Sequence, residues 1–230
     1  FPTRRSSDLG WLALQKYHMA YAQHKRMVMN VSTASLPKTD YGIPVPRTTR
    51  EAHALDQQHG NTKWKDAMDT EIAQLFEYST FVVHPPHTNF SPDYQRLRYH
   101  FVFAGKHDGR HKARLVAGGH QTEPPPEGTY SGVISLRSLR LAILVGELNG
   151  LQIYAADVGN AYLEAFTNEN VYFVAGPEFH DLEGHRLVIS KALYGLRSSG
   201  ARFHAHFADT LRTMGFTASY GDPNLWLRSN

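Results

Sequence analysis

The sequence predicts an α+β fold, and three observations carry that expectation. Two runs with strand-like residues, Tyr99–Ala104 and Lys112–Ala117, flank Asp108-Gly109, a dipeptide that suits the tight turns matching strand twist. Trp64, Met68, Ile72 and Leu75 recur at helical spacing and place one apolar face on a helix. The last third reads strand, helix, strands, helix, strand, an order compatible with a split βαβ arrangement.

The elements follow in chain order. Phe1–Leu9 resembles the translation of a common sequencing adapter and is excluded from the fold argument. Trp11 to Met29 has helical spacing without glycine or proline. Asn30 to Gly60 is polar, carries three prolines and reads as a linker. Thr62 is placed to cap the Trp64 helix. Phe81-Val82-Val83 is a short strand, and His84 to Arg96 a proline-bearing loop. After the hairpin, Gly118 to Gly128 is a loop containing Pro124-Pro125-Pro126. Ser135 to Asn149 is a helix with serine at its start and Gly150 beyond its end. Leu151 to Val158 is a mostly apolar strand and Asn160 to Ala165 a short helix. Val171–Val174 and Leu187–Ile189 are strands, Ser199–Met214 is an amphipathic helix stopped by Gly215, and Asn224–Leu227 begins another strand.

At 230 residues the chain is long enough to bury a core. No apolar run approaches the length of a membrane span, and no membrane partner is expected. The absence of cysteine excludes disulfides and thiolate zinc sites. Fourteen histidines include the pairs His107/His111, His204/His206 and His84/His87, but no convergent acid accompanies them and zinc is not expected. The net charge of +3 decides little; its distribution says more. Arg96 to Arg114 holds six cations and the single acid Asp108. Phosphate binding explains such a segment, and so does a solvated strand edge protected by charge.

The candidate chemistry centres on Asp157. The run from Leu151 to Ala156 supplies an apolar strand, Gly159 breaks it, and the acid is lifted to the strand's end. A carboxylate there serves as a metal ligand or as a turn or cap residue, and magnesium prefers such oxygen ligands. Tyr162, five residues on, is either a core aromatic or a residue facing the same site.

From Trp64 to Leu227 the motifs run in a fixed order. They are Trp64 through Ala67-Met68 to Glu71, Lys112-Ala113-Arg114-Leu115-Val116-Ala117-Gly118, Tyr130-Ser131-Gly132-Val133 and Leu139-Arg140-Leu141-Ala142. Then come Asp157-Val158 with Ala161-Tyr162-Leu163, Val171-Tyr172, Gly176-Pro177, Lys191-Ala192-Leu193-Tyr194-Gly195-Leu196-Arg197, Gly215-Phe216 and Asp222-Pro223. In this the chain resembles the reverse transcriptase of copia-type LTR retrotransposons. The resemblance implies a right-hand polymerase, with fingers over 61–150, palm over 151–165, a return to the fingers over 166–190 and palm again over 191–230, preceded by an upstream helix and linker over 10–60. It implies an RNA-directed DNA polymerase working by two-metal nucleotidyl transfer, with an RNA template, an RNA–DNA hybrid, deoxynucleoside triphosphates and the rest of a polyprotein as partners. The setting would be a cytoplasmic virus-like particle or the nucleus.

Carried across residue by residue, the resemblance makes Asp157 the catalytic ligand of two Mg²⁺ ions about 3.5–4 Å apart, with the Val158 carbonyl helping. Tyr162 would occupy the space of a ribose 2′-hydroxyl. Lys112 and Arg114 would contact the triphosphate or template backbone. Gly195 would let the backbone pass close to the templating pair, with Arg197 beside it. Two departures stand out. Relatives show Lys-Gln and Pro-Arg where this chain has Arg197-Ser198 and Gly200-Ala201. The paired-aspartate motif falls after the last residue, so the polypeptide as written is expected to be inactive; Asp209 and Asp222 are not substitutes. The alternative is a non-catalytic nucleic-acid-binding α/β module or a decayed element copy.

Overall fold

The computed structural model describes residues 38–123, 125 and 128–228. The expected helix over Trp11–Met29 lies outside them. The α+β expectation holds. Strands β1 (Thr39–Asp40) and β2 (Ile43–Pro44) form a small ladder, followed by helices α1 (Thr49–His59) and α2 (Lys63–Glu77). Strands β3 (Phe81–His84), β4 (Gln95–Arg96), β7 (Val171–Val174) and β8 (Arg186–Ile189) make a four-stranded sheet in the order β3-β8-β7-β4. Strands β5 (Tyr99–Gly105) and β6 (His111–Ala117) form the hairpin. Helices α3 (Leu136–Leu148) and α4 (Ser199–Thr213) and the ladder of β9 (Thr217–Ala218) with β10 (Trp226–Leu227) complete the chain.

The core forms where the apolar face of α2 meets the hairpin and the sheet. Trp64, Met68, Ile72 and Leu75 from α2 join Phe101, Phe103, Ala113 and Leu115 from the hairpin and Phe81, Phe173, Leu187 and Ile189 from the sheet. The hairpin shows the period of two: Phe101, Phe103, Ala113, Leu115 and Ala117 are buried, while Val102, Lys112, Arg114 and Val116 stand on the other face. That alternation puts the basic side chains outward as a direct consequence of packing the small and apolar ones inward.

Three expectations are corrected. The polar stretch before Gly60 contains α1, because Thr48 Oγ1 accepts the Glu51 amide (3.2 Å) and Gly60 closes the helix in the left-handed conformation at φ 62°. Helix α2 is capped from a distance, since the buried Asp56 carboxylate accepts the Trp64 and Lys65 amides at 3.0 and 2.9 Å, while Thr62 bonds to Asp66. The third correction bears on the site. Leu151 to Val158 is irregular and exposed rather than a strand, so the described residues do not assemble the split βαβ order. An apolar run earns a place in a sheet only by pairing, and no described strand runs alongside this one. Helix α3 shares this condition: Leu136, Leu141, Ile143, Leu144 and Leu148 are exposed, and only Gly146 is buried.

Candidate functional site

Arg114 lies outward on β6, opposite Val102, and its guanidinium carbon sits 5.3 Å from the centre of the Tyr194 ring. Tyr194 in turn lies 5.1 Å from the Tyr162 ring, and Phe203 of α4 flanks Tyr162 at 6.2 Å. Tyr162 is held half-buried on a short 3₁₀ turn, Ala161–Glu164, that follows Asn160 in the left-handed region at φ 50° and is anchored by the buried Leu163. Three distant segments thus converge as a cation, a ring and a second ring.

Gly195 fixes that convergence. Its φ is +92°, and an added Cβ would lie 2.1 Å from the Ala117 carbonyl oxygen. The close approach lets the Ala117 amide donate to the Tyr194 carbonyl at 2.7 Å, so the end of β6 is bonded to the turn that carries Tyr194. Gly119 answers from the other side, where a Cβ would stand 2.3 Å from the Gly195 carbonyl oxygen. Arg197 then clamps the same loop: its Nε donates to the Gly119 carbonyl (2.9 Å) and an Nη to that of His120 (3.0 Å). Ser198 gives its amide and hydroxyl to Glu169, whose other oxygen accepts from Thr122.

Lys112 is displaced from this group toward α2. It borders a cleft of about 510 Å³ shared with Lys63, Lys106, Arg110 and Glu71. Burial lowers its pKa, as does the Arg114 cation, while Glu71 opposes both. Arg110 is already paired with Asp108 (2.7 Å). Glu71 is buried and its Oε1 accepts the Leu115 amide at 3.1 Å, on the edge of β6 that faces away from β5. Burial raises its pKa, against the pull of that amide and of Lys112 and Arg114.

Asp157 is not drawn into the cluster. It is exposed in the irregular 151–158 segment, and it forms no hydrogen bond or ion pair among the described residues. Its carboxylate and the carbonyl of the exposed Val158 are hard oxygen donors of the kind magnesium takes. No group of three or more His, Asp or Glu among the described residues is placed to complete a metal site, so the residues present do not by themselves fit a two-metal centre.

Asp209 lies within α4. Asp222 makes the turn expected of it, accepting the Asn224 amide (3.0 Å), and also reaches across to the Ser135 amide (2.9 Å) at the start of α3. These hydrogen bonds hold its pKa down at about 2. Sequence reasoning placed Gly195 and Arg114 in this neighbourhood and missed Tyr194, Glu169 and the reach of Asp222; nothing local in the sequence signals contacts between segments so far apart.

Among the described residues no helix is long and apolar enough to cross a membrane. The model of the family described as reverse transcriptase (RNA-dependent DNA polymerase) matches residues 80–230. The chain is 30% identical to the retrovirus-related Pol polyprotein from transposon RE1 of Arabidopsis thaliana, over 83% of this chain and 14% of that protein. The corresponding polyprotein from transposon RE2 of the same plant is 31% identical, over 79% of this chain and 12% of its own length. The transposon Ty1-DR5 Gag-Pol polyprotein of Saccharomyces cerevisiae is 29% identical over 62% of this chain and 8% of its own. The chain therefore spans only a small part of the relatives it matches. No solved structure matches it.

Proposed function

Since the chain belongs to the reverse transcriptase family of copia-type retrotransposon Pol polyproteins, we propose that it serves RNA-directed DNA polymerisation as part of a longer polyprotein. The observation that carries the reading is the convergence of Arg114, Tyr194 and Tyr162 over the Gly195 turn. Its substrates are deoxynucleoside triphosphates, an RNA template and the growing RNA–DNA hybrid. In this reading 61–150 and 166–190 act as fingers and 151–165 and 191–230 as palm, in a cytoplasmic particle or the nucleus.

Arg114 and Lys112 neutralise the triphosphate of the incoming nucleotide, and a guanidinium suits phosphate oxygens through paired hydrogen bonds. Tyr162, half-buried and backed by Tyr194 and Phe203, presents a ring that fills the volume a ribose 2′-hydroxyl would need. Gly195 brings the backbone close to the base pair being formed. Arg197 positions the Gly119–His120 loop through its two carbonyl contacts, and that loop borders the substrate. Asp157 and the Val158 carbonyl would be among the residues that hold magnesium in the complete enzyme, where the ion would supply charge stabilisation to the phosphoryl transfer. In this reading the chain by itself binds hybrid through its outward cations.

The outward Lys112 and Arg114 of the hairpin suit a second reading equally, a nucleic-acid-binding module without catalysis. Fluorescence anisotropy with an RNA–DNA hybrid at low salt tests the common premise. The chain should bind, and Lys112→Ala with Arg114→Ala should weaken binding and flatten its salt dependence. Binding that is unchanged in the double variant would remove both residues from the site.

A further inference from the structure

The ring of Tyr162 is braced by Tyr194 and Phe203, and its hydroxyl end meets a gap. The gap exists because residue 200, the second of α4, is glycine. A Cβ built there would stand 3.9 Å from the Tyr162 hydroxyl oxygen, 3.3 Å from the Ser131 Cβ and 3.8 Å from the Ser131 hydroxyl. The backbone of Gly200 is helical and its φ lies outside the left-handed region, so conformation does not call for glycine. Alanine would be the better helix former. What glycine supplies here is room. Neither the Tyr162 nor the Ser131 hydroxyl makes a hydrogen bond among the described residues, so the phenol end is placed by contact alone.

Ser131 is exposed, but its loop is tied down. Gly132 packs so closely on Asn224 that a Cβ there would lie 2.7 Å from the Asn224 amide nitrogen. His204 of α4 donates from Nε2 to Asn224 Oδ1 at 2.7 Å, and Asp222 accepts the Ser135 amide at 2.9 Å. The 131–135 loop is thus fastened both to α4 and to the 222–224 turn.

We infer that Gly200 is a positioning residue for the nucleotide sugar, acting through Tyr162; the inference rests on the role proposed for that ring. A methyl at 3.9 Å is in ordinary contact with the phenol oxygen. A carbon one bond further out, by about 1.5 Å, would press on it. Tyr194 and Phe203 stand behind the ring and the Ser131 loop is held, so the ring yields toward its exposed part, where the sugar is assigned. The displaced ring then meets the deoxyribose itself and weakens nucleotide binding without touching the reacting atoms.

The test is a double-mutant cycle in the polyprotein carrying this chain. Primer extension on an RNA template is read as KM for the deoxynucleotide and kcat separately. Gly200→Val should raise KM by about tenfold, the size of an overpacking strain, and change kcat far less. Gly200→Ala should raise KM less than Gly200→Val. Tyr162→Phe removes the one oxygen that the valine meets and keeps the ring. In Gly200→Val/Tyr162→Phe the KM should return to within about twofold of Tyr162→Phe alone. A residue that only builds α4 would give no such rescue. An unchanged KM in Gly200→Val overturns the inference and leaves the polymerase reading standing, as does a raised KM that Tyr162→Phe fails to relieve. A valine variant that folds, by circular dichroism, only together with Tyr162→Phe supports the inference; one that folds in neither form overturns it. Absence of extension by the unaltered polyprotein overturns the polymerase reading, and this inference with it.

Discussion

Replacing Gly195 with alanine should be among the most damaging single changes on this surface, and its cost can be worked from two separable sources. The first is conformational: an L-residue held at φ +92° is strained by about 1–2 kcal/mol. The second is steric. The new Cβ would fall 2.1 Å from the Ala117 carbonyl oxygen, so the turn must withdraw from β6. Withdrawal lengthens the 2.7 Å bond from the Ala117 amide to the Tyr194 carbonyl, worth about 1 kcal/mol, and it loosens the Gly119 contact behind it. The sum is about 3 kcal/mol. At about 2–4 °C per kcal/mol for a domain of this size, the midpoint should fall by about 6–12 °C. Gly109→Ala supplies the control. Its φ of +83° imposes comparable strain, but a Cβ there meets nothing within 4 Å. Thermal unfolding followed by far-UV circular dichroism should therefore show Gly195→Ala losing about 1–2 kcal/mol more than Gly109→Ala, the part left once the shared strain cancels. Equal losses would refute the argument that close backbone approach, rather than the sign of φ, makes Gly195 necessary.

Other expectations follow from named contacts. Glu71→Gln keeps an oxygen for the Leu115 amide, whereas Glu71→Ala strands that buried donor at a cost of about 1–3 kcal/mol, so denaturant unfolding at neutral pH should rank glutamine above alanine. Because burial raises the native pKa of Glu71 above its ordinary 4.5, the native state holds the proton longer, and wild type should lose stability relative to Glu71→Gln as pH rises from about 4.5 through the native value; a pH-independent difference would contradict the assignment. Asp222 has the opposite sign. Its native pKa of about 2 lies below 3.8, so its contribution is present above 3.8 and lost as pH falls toward 2. Asp222→Asn should flatten that part of the acid-unfolding curve. Within the complete polyprotein, Tyr162→Val should raise ribonucleotide incorporation relative to deoxynucleotide; an unchanged ratio would take Tyr162 out of sugar selection.

Local patterns were legible where local physics decides them. The spacing of Trp64, Met68, Ile72 and Leu75 foretold α2, and Asp108-Gly109 foretold the hairpin with its basic outer face. Helix α1 was read as linker because it buries only Ala52 and Asp56, leaving a weak apolar stripe; the available signal was the Thr48-x-x-Glu51 cap. Leu151–Val158 misled in the other direction. Its apolar run meets the intrinsic preference of a buried strand, but a strand is a property of pairs, and no sequence window shows whether the neighbour is present. At the site, Lys112, Arg114 and Gly195 could be picked out by type. That Arg197 spends its donors on two carbonyls, and that Tyr194 bridges Arg114 to Tyr162, depended on segments far apart in the chain meeting in space.

The central claim, that this chain carries the metal-binding acid of an RNA-directed DNA polymerase, is tested most directly by primer extension. The polyprotein carrying this chain, given an RNA template, a DNA primer, deoxynucleotides and Mg²⁺, should extend the primer. Asp157→Asn should abolish extension while leaving hybrid affinity and the circular dichroism spectrum unchanged, as expected for an exposed side chain without partners among the described residues. Extension by Asp157→Asn at the wild-type rate would contradict the account.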